Sequence, residues 1–185
     1  MKTAYLLHGT GGSGTDYFWF DDTKTYLESK GYSVWWPSLP NTHKPELNDS
    51  IYFLENNAPP FDEETIMIGH SSACPLLLSF MQYMKVQIKQ VILVAGYYDK
   101  FEDNDVANLM LEPTYDWASI QEASDEIIMI NSDNDPWDCT DQKARASALR
   151  LGAPLILTSG QGHMGSTTFE QPYREFDLLK RLIKL

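Results

Sequence analysis

A chain of 185 residues is long enough for one sizeable hydrophobic core, so we expect a single domain over residues 1–185. Its composition, with 43% hydrophobic and 22% charged residues, is typical of a globular protein and excludes a disordered or fibrous one. The formal net charge of −12 and the lack of a Lys and Arg cluster argue against a nucleic-acid partner, because such a chain repels phosphate backbones. The sequence shows no secretion signal and no apolar run of about 18 residues, so we expect a soluble cytoplasmic protein without a membrane partner.

Six short apolar segments predict the β-strands of the fold. They lie at residues 4–7, 33–36, 65–68, 91–94, 127–130 and 154–157. Most are apolar at consecutive positions, which is typical of strands that are covered on both faces in a parallel sheet. Helical segments separate them: the first ends near Gly31, and the last carries an apolar stripe from Phe169 to Leu182. This order predicts a three-layer α/β domain that binds ligands at the carboxyl ends of its strands.

The loop after the first strand, residues 8–14, is rich in glycine and has two interpretations. In a hydrolase, such a loop supplies an oxyanion amide, here that of Thr10. In a nucleotide-binding protein, the pattern G-x-G-x-x-G from Gly9 to Gly14 is the dinucleotide fingerprint. The second strand ends in WWPS at residues 35–38, without the carboxylate that would bind the ribose. Dinucleotide binding is therefore the less favoured alternative.

The pentapeptide GHSSA at residues 69–73 follows the third strand and precedes an apolar helix. It is close to the G-x-S-x-G nucleophile elbow, with Ser71 in the position of the nucleophile and Ala73 in place of the second glycine. The amide of Ser72 and the N-terminus of the following helix would stabilise an oxyanion. The alternative is a plain strand-to-helix turn in which a serine caps the helix.

Residues 97–115 interrupt the alternation of strands and helices and are too many for an ordinary connection. The segment is rich in Asp and Asn. We expect a loop or small excursion over the active face and not a second domain.

Three aspartates are candidates for an acid that orients a catalytic histidine. Asp133 and Asp135 follow the fifth strand, and Asp99 follows the fourth. Asp135 is favoured because Pro136 stiffens the turn beyond it and because it lies far enough along the chain to curl back towards the last loop. The density of Asp and Asn suggests calcium, but the central glycine and terminal glutamate of an EF-hand are absent, so we expect no metal.

His163 lies in a glycine-rich loop after the sixth strand. A neutral imidazole there could take the proton of Ser71 and return it to the leaving group. Its position after the last strand preserves the Ser, Asp, His chain order of α/β-hydrolases. The other histidines are weaker candidates: His8 and His70 adjoin the glycine loop and the nucleophile, and His43 follows a strand on the wrong side.

Together, these motifs resemble the compact serine hydrolases of the retinoblastoma-binding-protein-nine-like family and their bacterial relatives. The similarity covers nearly the whole chain. It rests on the glycine loop with aromatic residues at 17–20, WPSLP at 36–40, GHSS at 69–72, DP at 135–136 and GH at 162–163.

The resemblance implies an α/β-hydrolase fold that lacks the first antiparallel strands and has a mostly parallel six-stranded sheet of order 2-1-3-4-5-6. It also implies that Ser71, Asp135 and His163 are the catalytic triad. Ala73 and Asp138 depart from the family pattern, so the shape of the pocket is not implied.

These features predict an enzyme that cleaves a carboxylic ester, in preference to a peptide, through an acyl-enzyme and without a metal or organic cofactor. The expected partner is a small-molecule acyl substrate of neutral character, and the protein is expected to be a monomer or homodimer. Candidate pocket residues are Trp19, Tyr97, Tyr98 and Trp137. The alternative is a non-catalytic interaction protein that has the same fold.

Overall fold

The computed structural model describes residues 2–185, which form a six-stranded sheet with helices on both faces. The strands are β1 (Thr3–Leu7), β2 (Ser33–Trp35), β3 (Ile66–His70), β4 (Gln90–Val94), β5 (Ile127–Ser132) and β6 (Leu155–Thr158). Their order is β2-β1-β3-β4-β5-β6, and every neighbouring pair is parallel. The predicted α/β-hydrolase architecture and strand order are therefore confirmed.

Helices cover the two faces of the sheet. They are α1 (Phe20–Ser29), α2 (Leu47–Asn57), α3 (Ala73–Met81), α4 (Asp105–Asn108), α5 (Trp117–Glu122), α6 (Asp141–Leu151) and α7 (Asp177–Leu182). Side chains alternate between the faces: Tyr5 and Leu7 pack with residues of α2 and α3, whereas Ala4 and Leu6 pack with residues of α1 and α7. Within residues 2–185, no helix is long and apolar enough to cross a membrane.

The chain reverses its direction across the sheet between β1 and β3. β2 lies beside β1 on one side of the sheet, and β3 lies beside β1 on the other side. In sheets of this kind, ligands bind in the crevice outside the carboxyl ends of the strands at such a switch point. Leu7 is in register with Gly69, so the glycine loop after β1 and the serine turn after β3 leave the sheet side by side.

The helix predicted over residues 169–182 is wrong in its first half, because α7 begins only at Asp177. Pro172 has no amide hydrogen for a helix interior, and a proline disfavours helical geometry in the preceding residue. Gln171 instead forms an antiparallel bridge with Ser166, with hydrogen bonds of 2.8 and 3.0 Å between their backbones. This bridge closes the loop that carries His163.

Residues 97–115 leave the sheet after β4 and contain the short helix α4. The side chain of Asn104 caps α4 by accepting a hydrogen bond from the amide of Ala107. The side-chain amide of Asn108 holds both the amide and the carbonyl of Phe101 at 2.8 Å. Tyr97 and Phe101 anchor a small apolar cluster of their own. The segment is thus an ordered element beside the carboxyl end of the sheet.

Candidate active site

Ser71 lies in the turn between β3 and α3 and has a left-handed backbone conformation, with φ of 56°. Residues other than glycine rarely adopt this conformation, which costs about 1–3 kcal/mol and concentrates at functional sites. The amide of Ser71 donates to the carbonyl of Val94 at 2.9 Å, and its carbonyl accepts from the amide of Cys74 at 2.9 Å. This sharp turn places the serine at the end of the sheet, as in a nucleophile elbow.

Gly69 is required where β3 meets α3. A Cβ on this residue would lie 2.8 Å from a methyl carbon of Leu77 and 3.1 Å from the carbonyl oxygen of Ala73. The strand and the helix therefore approach each other too closely for any side chain here. Ala73 is itself completely buried, and its single methyl group fits where the sequence motif usually has glycine.

His163 is paired with Asp135. Its Nδ1 lies 2.7 Å from Oδ2 of the aspartate, and both side chains are buried. The other carboxylate oxygen of Asp135 accepts a hydrogen bond of 2.8 Å from the amide of Trp137, which fixes the orientation of the carboxylate. With its Nδ1 proton donated to the aspartate, the imidazole has Nε2 free to accept a proton.

The other two candidate acids lie elsewhere. Asp133 is exposed and accepts hydrogen bonds from the amide of Gly160 at 2.8 Å and the hydroxyl of Ser159 at 2.7 Å. These hydrogen bonds, first that from Gly160, lower the pKa of its carboxyl group. Asp99 is also exposed, and it accepts a hydrogen bond from the amide of Lys100. The structure therefore brings only Asp135 of the three to the imidazole of His163.

Thr10 and Ser72, whose amides are the predicted oxyanion donors, are neighbours. The hydroxyl of Thr10 donates to Oγ of Ser72 at 3.0 Å, so the glycine loop and the serine turn are joined beside Ser71. Within the part of the chain from residue 2 to residue 185, the backbone amides of Thr10 and Ser72 form no hydrogen bond. Both amides are thus available to an oxygen atom bound next to Ser71.

Ser71 and His163 open onto the same cavity, whose volume is about 580 Å³. Its wall includes Thr10, Gly11, Tyr17, Phe18, His43, Ser71, Ser72, Tyr97, Phe101, Asn104, Val106, Ala107, Trp137, Cys139, His163, Gly165, Ser166, Thr167 and Thr168. Among these wall residues there is no Asp, Glu, Lys or Arg. Within residues 2–185, Oγ of Ser71 has no hydrogen-bond partner. Hydrogen bonds between a catalytic hydroxyl and its base are often long in the absence of substrate and shorten when substrate binds.

Two of the four predicted pocket residues lie away from this cavity. Trp19 has 0% exposure and uses its indole nitrogen to donate to the carbonyl of Met164 at 2.9 Å, so it belongs to the core. Tyr98 packs edge-on against Trp117, with ring centroids 4.9 Å apart. Tyr97 and Trp137 do line the cavity. The expectation was wrong for Trp19 and Tyr98 because an aromatic residue near a strand end serves the core as readily as a pocket.

The sequence matches a known protein family over nearly its whole length. The family model described as "Serine hydrolase" matches residues 4–181, which include Ser71, Asp135 and His163. The chain belongs to the serine hydrolase family.

Two curated proteins and one solved structure are similar to this chain. The chain is 26% identical to the putative hydrolase YdeN of Bacillus subtilis over 136 residues, which are 72% of this chain and 71% of YdeN. It is 27% identical to the rat serine hydrolase RBBP9 over 178 residues, covering 92% and 91% of the two chains. The crystal structure of the B. subtilis ydeN product superposes with a TM-score of 0.90 at 22% identity, covering 98% of this chain and 96% of the other. The family match and the two curated hydrolases support a hydrolytic function for this serine hydrolase, and the solved structure shows the same fold.

The glycine loop of this serine hydrolase does not have the geometry of a dinucleotide site. In that fingerprint the glycines open a helix whose N-terminus meets the pyrophosphate. Here α1 begins only at Phe20, after a turn with several left-handed residues. A Cβ on Gly14 would lie 2.8 Å from the amide nitrogen of Ser38, so this glycine packs against the segment after β2. The alternative of dinucleotide binding therefore loses its structural basis.

Gly9 holds the glycine loop against Ser71, and if this serine is the nucleophile, replacement of Gly9 by alanine is expected to lower kcat about a hundredfold. The added Cβ would lie 2.7 Å from Cβ of Ser71 and 3.2 Å from its Oγ, so the serine or the loop must move. Gly31→Ala is a matched control, because its Cβ would enter open space and only its positive φ of 86° would be strained. The measurement is kcat for an activated ester together with the melting temperature. A Gly9→Ala protein that keeps wild-type kcat would contradict the close packing.

Sequence analysis gave no role to three residues that hold the site of this serine hydrolase together. Gln171 accepts a hydrogen bond of 2.9 Å from the amide of His163 through its side-chain oxygen. Tyr17 and His70 are hydrogen-bonded to each other at 3.0 Å, between the glycine loop and the histidine loop. The proximity of His70 to the nucleophile was visible in the sequence, but its partners are 53 and 93 positions away in the chain.

One group of side chains has the composition of a metal site. Ligand atoms of Asp135, Cys139 and His163 all lie within 4.8 Å of one another. However, the aspartate and the imidazole already satisfy each other through their hydrogen bond of 2.7 Å. Burial, and next the charge of Asp135, raises the pKa of the Cys139 thiol well above its usual value, so the thiol stays protonated and is a poor ligand. The group therefore fits a proton-transfer pair better than an ion.

Proposed function

We propose that this serine hydrolase cleaves neutral carboxylic esters through a triad of Ser71, His163 and Asp135 and a covalent acyl-enzyme. The observation that carries the proposal is the hydrogen bond of 2.7 Å between Asp135 and His163, because this histidine lines the same cavity as Ser71, whose backbone is strained. An oriented imidazole and a serine held in a nucleophile elbow are the two components that acyl transfer requires.

Each residue has a defined role in the proposed reaction. Ser71 Oγ attacks the ester carbonyl while Nε2 of His163 takes the hydroxyl proton, and the same nitrogen then returns that proton to the leaving alkoxide. Asp135 holds the Nδ1 proton and stabilises the imidazolium that forms. The amides of Thr10 and Ser72 donate to the developing oxyanion. In the second half of the reaction, water attacks the acyl carbonyl while Nε2 of His163 takes its proton. The bond from the acyl carbon to Ser71 Oγ then breaks, the acid leaves, and Nε2 returns the proton to Oγ.

The cavity indicates the kind of acyl group. Its wall includes the apolar and aromatic residues Tyr97, Phe101, Val106, Ala107 and Trp137. A charged acyl group would lose its hydration there without a compensating partner, because the wall contains no charged Lys, Arg, Asp or Glu side chain. The net charge of −12 adds a repulsion against anionic substrates. We therefore expect a preference for uncharged esters with a small or medium-sized acyl chain.

Pre-steady-state hydrolysis of p-nitrophenyl butyrate tests this proposal. We expect a burst of nitrophenol of about one equivalent per protein, followed by slower turnover, as an acyl-enzyme requires. The half-ester p-nitrophenyl succinate has an acyl chain of similar length but carries a carboxylate. Its kcat/KM should be at least about tenfold lower than that of p-nitrophenyl butyrate.

Two outcomes would oppose the proposal in different ways. Hydrolysis no faster than with the Ser71→Ala variant would favour a non-catalytic interaction protein that has this fold. Equal kcat/KM for the two esters would retain the enzyme but contradict the neutral substrate class.

A further inference from the structure

We propose that His70 and Tyr17 are positioning residues for the reaction at Ser71, because a continuous chain of hydrogen bonds through them fixes the histidine loop relative to the glycine loop. Neither residue is assigned a chemical step. The inference rests on the proposed function, since it concerns the alignment of the same serine and histidine.

The chain of hydrogen bonds links three loops that are remote in sequence. The amide of Gly9 donates to the hydroxyl of Tyr17 at 3.3 Å, and this hydroxyl lies 3.0 Å from Nδ1 of His70. On the other side of the ring, Nε2 of His70 lies 2.8 Å from the backbone carbonyl oxygen of His163. The imidazole of His70 thus joins the glycine loop, the turn that carries Ser71 and the loop that carries His163.

Hydrogen-bonding capacity determines the direction of every link. A carbonyl oxygen can only accept a hydrogen bond, so Nε2 of His70 carries the ring proton and donates a hydrogen bond to the carbonyl of His163. Nδ1 then has no proton and accepts a hydrogen bond from the Tyr17 hydroxyl. The same hydroxyl oxygen accepts from the amide of Gly9. Each donor meets an acceptor along the whole chain, so a single tautomer of His70 satisfies all the groups.

His70 is suited to a geometric role and not to proton transfer. Its side chain has 0% exposure and does not line the cavity, so it cannot contact a substrate. Burial, and next the positive charge of a protonated His163, lowers the pKa of His70 to about 3. Burial also raises the pKa of Tyr17 above its usual value. Both groups therefore stay neutral over the pH range in which an ester is assayed.

This arrangement holds His163 at three points. Asp135 fixes the imidazole, Gln171 holds the backbone amide and His70 holds the backbone carbonyl. The rings of His70 and His163 are also in contact, with centroids 4.9 Å apart. Without the hydrogen bond from His70 to the carbonyl of His163, the loop that carries His163 loses one of these three contacts and can move relative to Ser71. A misplacement of about 1 Å is enough to lower an enzymatic rate about a hundredfold.

The test compares Tyr17→Phe, His70→Leu and His70→Gln with the wild type. Tyr17→Phe removes one hydroxyl group, His70→Leu removes both links, and His70→Gln keeps an amide that can still donate to the carbonyl of His163. We expect kcat for p-nitrophenyl butyrate to fall about tenfold in Tyr17→Phe and about a hundredfold in His70→Leu. KM should change less than about threefold, and His70→Gln should regain most of the lost kcat.

Tyr5→Phe is the matched control for a purely structural effect. It removes another tyrosine hydroxyl, which donates to the carbonyl of Pro59 and lies outside the cavity wall. Its melting temperature should fall as that of Tyr17→Phe does, but its kcat should remain at the wild-type value. If kcat falls equally in Tyr5→Phe and Tyr17→Phe, or if His70→Leu keeps wild-type kcat, the positioning role is refuted.

Two further readouts separate this inference from the proposed function. Long-range ¹H–¹⁵N spectra of the wild type should show His70 neutral and protonated on Nε2, whether or not the protein turns over an ester. The opposite tautomer, or a charged ring at neutral pH, overturns the inference alone. Absence of ester turnover by the wild type instead overturns the proposed function, and with it the catalytic consequence of the hydrogen-bond chain.

Discussion

Replacing Ser71 with alanine is expected to lower kcat for p-nitrophenyl butyrate by about a million-fold, the loss typical when an acyl-transfer enzyme loses its nucleophile. The proposed reaction has no other group that could form the acyl-enzyme. The hydroxyl of Ser72 already accepts the hydrogen bond from Thr10, and the proposed reaction assigns only its backbone amide a role, as an oxyanion donor. Only the oxyanion amides and substrate binding would contribute to the residual rate.

Ser79→Ala is the control for the loss of a serine hydroxyl. Ser79 lies in α3, is buried, and donates to the carbonyl of Pro75 at 2.9 Å, outside the cavity wall. Its replacement should cost about 1 kcal/mol of stability without a comparable loss of kcat. If Ser71→Ala retains more than about a hundredth of the wild-type kcat, the nucleophile has been assigned to the wrong residue.

Asp135→Asn is expected to lower kcat about ten-thousand-fold. In the wild type, the nitrogen Nδ1 of His163 lies 2.7 Å from Oδ2 of Asp135. An asparagine NH2 group at the position of Oδ2 would face the proton on this nitrogen and could not accept its hydrogen bond. The imidazole would then rotate or adopt the wrong tautomer and could no longer accept the proton of Ser71. In the opposite orientation of the amide the stabilising charge is still lost. The measurement is kcat as a function of pH on folded protein.

Asp133→Asn is the matched control for this change. The two aspartates are separated by one residue in the same turn, but Asp133 points to Gly160 and Ser159 on the surface. We expect its replacement to loosen the histidine loop slightly and to lower kcat less than about tenfold. The reverse order of effects would transfer the role of the acid to Asp133.

The parts of the fold that local sequence patterns specify were predictable. Consecutive apolar residues identified the six strands, whereas the strand order came from the family resemblance. GHSSA and the glycine-flanked His163 led to the proposed site, because a nucleophile elbow needs small residues at fixed spacing. These requirements act within a few residues, so they leave a visible pattern.

What the sequence could not specify depends on contacts between distant segments. The periodicity of Phe169 to Leu182 predicts a helix, but Gln171 forms a bridge with Ser166 instead, and the helix begins only at Asp177. The sequence suggested that Trp19 lines the pocket, but its indole nitrogen donates a hydrogen bond to the carbonyl of Met164, in the loop that carries His163. The links of His70 to Tyr17 and His163 likewise exist only once the sheet has brought three loops to one edge.

Labelling of the native wild-type protein with a fluorophosphonate, followed by mass spectrometry of its peptides, tests the central claim most directly. The account predicts a single adduct on Ser71, absent in Ser71→Ala and formed much more slowly in His163→Ala. A folded protein that acquires no adduct, or whose adduct lies on another residue, would contradict it.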